Sequence, residues 1–168
     1  MTLATIRQAL YDWVTEVTGI ETIYADQSTH RPDLPYAVIN FKNAASRTGI
    51  DEIRWNGVDG FDQVGDRAAP CTIDIFGTEA NDKMANLLDT LHKPEVVESF
   101  TAAEIVATVT NGPVDLTYLE DETDYVERSQ MELSISYTKS RDAEVDPIES
   151  VEVDGNIEDV DIDFTVET

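Results

Sequence analysis

The groups that could do chemistry in this chain are its carboxylates, one thiol and two imidazoles. The 168 residues hold 35 Asp and Glu, a single cysteine, Cys71, and two histidines, His30 and His92. A nucleophilic thiol needs a base beside it, and neither histidine stands in a motif that would supply one. Carboxylate pairs can act as general acid and base, but among 35 acids some pair arises from composition alone and none stands out. Asp159, Asp161 and Asp163 alternate along one stretch and could hold a hard cation such as calcium; a solvated acidic face is the simpler reading. There is no CxxC or HExxH pattern. Gly57, Gly60 and Gly65 lack the strand-to-helix setting of a phosphate loop. Cys71 has no partner for an intrachain disulfide and lies in an alternating apolar run, where a small buried residue is expected. The expectation is a protein with no catalytic residue, no metal set and no cofactor site, and therefore not an enzyme.

The charge limits the partners. Against the 35 acids stand only four Lys and seven Arg, giving a formal charge of -24 and a pI near 4.1. Phosphate recognition relies on clustered Lys and Arg, so neither a nucleic-acid reader nor a protein docked on anionic membranes is expected. Like charges in this number destabilise a compact state at low salt. At about 1 M salt the screening length falls to roughly 3 Å and the repulsion fades. Acids crowd loops and helix faces well before the C-terminus, which points to a saline interior. No apolar run approaches the ~20 residues of a membrane span. Met1 to Thr5 leads into an amphipathic helix rather than a signal-peptide core. The expectation is a protein made and kept in a cell, or in a particle assembled there.

The elements that would position these groups follow from periodicity. Leu3, Ile6, Leu10, Trp13, Val14 and Val17 recur at three and four, which makes an amphipathic helix, with Thr2 or Thr5 to cap it and Gly19 after its end. Trp13 belongs to that stripe and is expected in the core. Ile20 to Ala25 is a short strand, and Tyr36 to Phe41 a buried one. Cys71, Ile73 and Ile75 alternate with Thr72, Asp74 and Phe76 as its antiparallel partner. Gly77-Thr78-Glu79 opens a second helix with Ala80, Met84, Leu87, Leu88 and Leu91 on one face, ended near Pro94. Glu95 to Phe100 predicts one short helical turn. Ile105 to Thr110 is a strand, Asn111-Gly112-Pro113 a turn, and Tyr125 to Tyr137 the longest strand signal. The fold class is α+β: a mixed, mainly antiparallel sheet packed by two helices.

Two segments remain unabsorbed by that plan. Ala44 to Ala68 is an excursion of roughly 25 residues between paired strands, and connections of that length are usually functional or disordered. Within it Arg54, Trp55, Val58 and Phe61 are candidate interface residues. An aromatic on a projecting hairpin is a frequent anchor, and core burial is the alternative for Trp55. The second segment runs from Asp142 to Thr168 with eleven acids and no base. There Val160, Ile162, Phe164 and Val166 alternate with Asp161, Asp163, Thr165 and Glu167, which predicts a strand with one apolar and one acidic face. A turn at Asp154-Gly155-Asn156 would join it to Ile148 to Val153 as a hairpin. These four apolar residues complete the candidate interface. Residues 1–141 thus read as one domain and 142–168 as an acidic C-terminal β extension.

The stretch Pro35-Tyr36-Ala37-Val38-Ile39-Asn40-Phe41 resembles the first strand of the tail-terminator and neck proteins of tailed phages and haloarchaeal tailed viruses. Thr72-Ile73-Asp74-Ile75-Phe76-Gly77, followed by the helix of Ala80 to Leu91, is similar to their strand–Gly–helix unit. Glu127-Arg128 and then Glu132 to Tyr137 resemble their late strand. The likeness spans about residues 1 to 140 and is least clear beyond Asp142. It implies a structural virion protein assembled in the host cytoplasm as a homohexameric ring. Such a ring sits at the head-proximal end of the tail tube, ends tube polymerisation and joins the tail to the head connector. Its partners would be its own copies, the tail tube protein and the head–tail connector or adaptor, with genomic DNA passing through the lumen without specific binding and no membrane involved. The alternatives are another neck component, such as a head-closure or connector-adaptor ring, and a halophilic ligand-binding or enzymatic domain.

Overall fold

A computed structural model describes residues 3–26, 30–42, 45–57, 60–120, 124–143, 150–157 and 160–167. Thr2, Val58, Ile148 and Asp159 lie outside the described residues. The chain falls into two compact units, Met1–Glu52 with Val64–Ser140, and Ile53–Gln63 with Arg141–Thr168.

The first unit is built from three helices, α1 (Leu3–Thr18), α2 (Ala80–Thr90) and α3 (Pro94–Ala102), and the greater part of the main sheet. The sheet's strands are β1 (Glu21–Tyr24), β2 (Tyr36–Phe41), β3 (Ser46–Arg47), β4 (Glu52–Trp55), β5 (Phe61–Phe76), β6 (Ile105–Asp115) and β9 (Arg128–Ala143), the last reached through a small hairpin of β7 (Tyr118–Leu119) and β8 (Tyr125–Val126). The order is β1-β2-β5-β9-β6, with β3 and β4 also paired to β5. β1 runs parallel to its neighbour β2; β2 and β3 are antiparallel to β5, as β6 is to β9. The sheet is therefore mixed and mainly antiparallel, and the fold is α+β.

Period two on the strands and period three to four on the helices meet in one core. Ile39 lies opposite Ile73, and Ala37 opposite Ile75. Met131, Leu133 and Ile135 continue the layer on β9, and Ile6, Leu10, Val14, Met84 and Leu87 close it from the helices. Each fully buried aliphatic side chain stabilises by about 1.5–3 kcal/mol relative to exposure. Trp13 is buried, edge-on to Phe100 at 5.6 Å, with its indole N–H donating to Thr90 Oγ1 at 3.3 Å. Cys71 is buried in the same layer, and burial pushes its thiol up to about 12.

Three local expectations are corrected by long-range pairing. Glu95 to Phe100 is part of a nine-residue helix, because Pro94 at its first turn starts it and Phe100 gives it a buried anchor. Asn111-Gly112-Pro113 does not turn the chain. It sits within β6, whose register to β9 slips by one residue between Val109 and Asn111 and again between Asn111 and Val114. Two bulges absorb the turn-forming residues on an edge strand, where Pro and Gly are tolerated. The expected polar start of α2 at Thr78 makes no cap. Its first residue, Ala80, donates its backbone N–H to Glu127 Oε2 at 3.2 Å, while Gly77 N–H donates to the Glu127 carbonyl at 2.9 Å. Gly77 has φ +100, and a Cβ there would stand 2.9 Å from Pro35 Cα, so only glycine fits this junction. Glu127→Ala is expected to cost about 1 kcal/mol, the usual worth of a lost helix cap. A urea titration that shows no shift in midpoint for Glu127→Ala would contradict that role.

The second unit contains the tip of the β4–β5 ribbon and a two-stranded antiparallel sheet of β10 (Ser150–Ile157) and β11 (Val160–Glu167). The hairpin exists, but its turn is not at Asp154-Gly155-Asn156. Those residues pair in the ladder with Asp163, Ile162 and Asp161. The register sets Val151 opposite Val166, Val153 opposite Phe164 and Ile157 opposite Val160. Directly opposed residues share a face, so this pairing gathers the apolar positions of both strands on one side, which a turn at 154–156 would not.

Candidate interaction surfaces

The excursion is a ribbon, and the strand arm that Ile53 and Trp55 suggest in the sequence is β4. Its sequence looks irregular because neither face is buried: all four residues of β4, Glu52 to Trp55, are exposed. Ile50 is 94% exposed, Ile53 62% and Trp55 57%. Trp55 is thus a surface residue, packed edge-on against the half-buried Phe61 at 5.3 Å. Arg54 is exposed beside it, and Val58 lies outside the described residues. Of Val160, Ile162, Phe164 and Val166, the structure gives the strand position in β11 and the shared face, not the side-chain surroundings.

At its base the ribbon is locked by a cluster the sequence gave no sign of. Asp51 lies where β3 gives way to β4, and its carboxylate accepts from Arg67 Nη1 at 2.7 Å and Nη2 at 2.8 Å. Arg47 approaches the same carboxylate at 3.2 Å. The Asp51 side chain is 4% exposed and that of Arg67 12%. Two-pronged pairing of this kind is the strong form of the ion pair, and it holds Arg67 above its ordinary pKa. Gly65 makes room for it: a Cβ there would stand 1.9 Å from Asp51 Oδ1.

A second polar cluster lies on the sheet face turned away from the helices. Asp74 Oδ1 accepts from Arg128 Nε at 3.0 Å, Arg128 Nη2 at 2.8 Å and Gln130 Nε2 at 2.9 Å. The Arg128 guanidinium also covers the Phe76 ring at 5.2 Å, Phe76 stacks on Tyr36 at 5.0 Å, and Arg31 covers Tyr36 at 5.6 Å. The cluster ties β2, β5 and β9 together. Asp74, Arg128 and Gln130 resemble a site only in composition; each polar group is occupied by another.

Among the described residues at least seven of the eleven basic side chains are engaged in ion pairs, among them Arg7 with Asp26, Arg31 with Glu120, Lys42 with Glu132 and Lys83 with Glu79. Among the described residues these pairs occupy most of the positive charge, which limits what is left to grip a phosphate backbone. Among the described residues there is no group of three or more His, Cys, Asp or Glu arranged to hold a metal, and no helix is long and apolar enough to cross a membrane. What the surface offers is apolar ribbon, free strand edge and acid.

The chain matches the model of the phage neck terminator protein over residues 4–161. The chain belongs to the phage neck terminator family. It is a structural protein of the viral neck and tail, with tail and head components as its partners and the virion as its place. No curated protein matches it. The match extends past residue 142 to residue 161, so it takes in β10 and the first two residues of β11 and stops short of Ile162, Phe164 and Val166. Asp51, Arg67 and Gly65 lie at the base of the ribbon on which the exposed Trp55 packs against the half-buried Phe61.

Proposed function

We propose that this neck terminator closes the head-proximal end of the tail tube as a homohexameric ring. In that role it ends tube polymerisation and presents the surface joined by the head connector or adaptor. The observation that carries the reading is the β4 arm, which exposes both faces and holds Ile53 and Trp55 to solvent. A two-stranded ribbon with neither face covered is marginal alone, and a neighbouring subunit or the terminal tube ring would cover it. Arg54, Trp55, Val58 and Phe61 form the tube- or neighbour-facing set in this reading. The extension 142–168, with Val160, Ile162, Phe164 and Val166, forms a second one. Heterologous contacts of this sort close into a ring when the rotation allows.

The acidic balance fits both a saline host interior and a lumen through which DNA passes without adhering, since phosphates are repelled rather than held. The function needs interfaces and no covalent chemistry. Trp55→Ala is expected to leave the thermal midpoint unchanged and to weaken ring formation or tube capping about 30-fold, the loss typical of a central aromatic anchor. Cryo-electron microscopy and mass photometry at high salt, with purified tail tubes, measure both. A monomer that never associates with tube ends would sink the proposal.

A further inference from the structure

The main sheet has two edges of very different character. At one end β1 is four residues long and starts with the exposed Glu21. Short, charged edges resist pairing with other chains. At the other end β6 is eleven residues long, and the sheet order stops there. Its second half is blunted by the two bulges and by Pro113, but Ile105 to Val109 pair with β9 in unbroken register. Among the described residues no strand pairs with the outer side of that half, which leaves the backbone groups there open to another chain. Beside it, between β6 and α3, runs an open groove of about 410 Å³ lined chiefly by Leu91, Val97, Phe100, Ile105, Ala107 and Val109. Val97 and Val106 at its rim are 46% and 63% exposed.

An extended segment with apolar residues at every second position would satisfy both features, its backbone continuing the sheet and its side chains filling the groove. The chain contains such a segment. β11 carries Val160, Ile162, Phe164 and Val166 at spacing two, and it belongs to a two-stranded sheet of its own rather than to the main one. An isolated hairpin needs a third strand to be stable. We propose that β11 of one copy adds to the Ile105–Val109 edge of β6 in a second copy, with its apolar positions over the α3–β6 groove. The donor and acceptor are different surfaces of the same chain, so the contact is heterologous and propagates from subunit to subunit. This specifies one interface of the ring proposed above and rests on that reading for its closure.

The test uses the full chain with p-benzoyl-phenylalanine in place of the exposed Val106, assembled at high salt from a mixture of ¹⁴N- and ¹⁵N-labelled copies. The expected result is an ultraviolet cross-link joining the 106 peptide of one isotope to a peptide within 160–167 of the other. In parallel, Phe164→Asp is expected to abolish assembly while the main domain keeps its melting transition. Cross-links to 160–167 found only within one isotope would place the strand on its own chain and overturn the proposal, as would assembly that survives Phe164→Asp. Rings whose cross-links omit 160–167 would overturn the strand addition and leave the ring standing. Mixed-isotope cross-links to 160–167 in an open, non-ring species would support the strand addition and remove the ring.

Discussion

Gly65→Ala is expected to lower the thermal midpoint further than Gly57→Ala does and to loosen the arm that carries Trp55. The added methyl would stand 1.9 Å from Asp51 Oδ1, 2.6 Å from Asp51 Cγ and 2.7 Å from Arg67 Nη1. None of these can yield separately, because the carboxylate is pinned by both Arg67 nitrogens and by Arg47. The pair must open. Opening it forfeits the two-pronged pairing, the strong form of the ion pair, at the base of the ribbon. Gly57→Ala is the control: φ is +87 there but no atom lies within 4 Å, so only backbone strain of about 1–2 kcal/mol is added. Thermal melts at one fixed high salt concentration, with hydrogen exchange read over residues 46–55, separate the two. Equal midpoints for the Gly65 and Gly57 variants, with unchanged exchange at the arm, would show that the Asp51 cluster does not hold it.

The second large effect is expected from salt. Raising potassium chloride from about 0.1 M to about 1 M shortens the screening length from ~10 Å to ~3 Å. The thermal midpoint is expected to rise by at least about 10 °C over that range, equivalent to about 3 kcal/mol. Three observations motivate this. Acids exceed bases by 35 to 11; most of the bases are already paired, so they cannot neutralise more; and in the C-terminal hairpin Asp154 lies directly opposite Asp163. Like charges across a strand pair repel. Chloride is preferable to sulfate for this measurement, because excluded salts strengthen apolar burial in any protein. A midpoint that stays flat or falls between the two concentrations would remove the saline-interior reading while leaving the family and fold untouched.

What could be read from the chain was local periodicity. The alternation in Tyr36 to Phe41 and Cys71 to Phe76, and the three-four spacing from Leu3 to Val17, translate directly into buried faces. They gave the core, its helices and the α+β class. What could not be read was pairing at a distance. The Asp51–Arg67 lock joins residues that are ordinary in isolation, and Gly65 looked like one of several scattered glycines until its neighbour across the ribbon was known. Glu127 caps a helix that begins 47 residues earlier, so no window around Thr78 could have revealed it. Asn111-Gly112-Pro113 shows the converse: a strong local turn signal yielded to the ladder between β6 and β9. Trp55 stood between core and surface for a related reason, because burial on a ribbon depends on what lies against it. Among the proposed interface residues the sequence pattern offered the apolar alternation of β11, and the structure added the β6 edge, which has no motif of its own.

The buried position of Cys71 has a practical reach beyond packing. A thiol raised to about 12 leaves only about a thousandth of the thiolate present in an ordinary cysteine at neutral pH. It is the chain's only cysteine. The native protein therefore supplies its own silent background for spectroscopy: a single cysteine introduced on the ribbon or on β11 would take up a fluorophore or spin label alone. Distances between subunits could then be followed as copies come together, without first rebuilding the core around a missing sulfur.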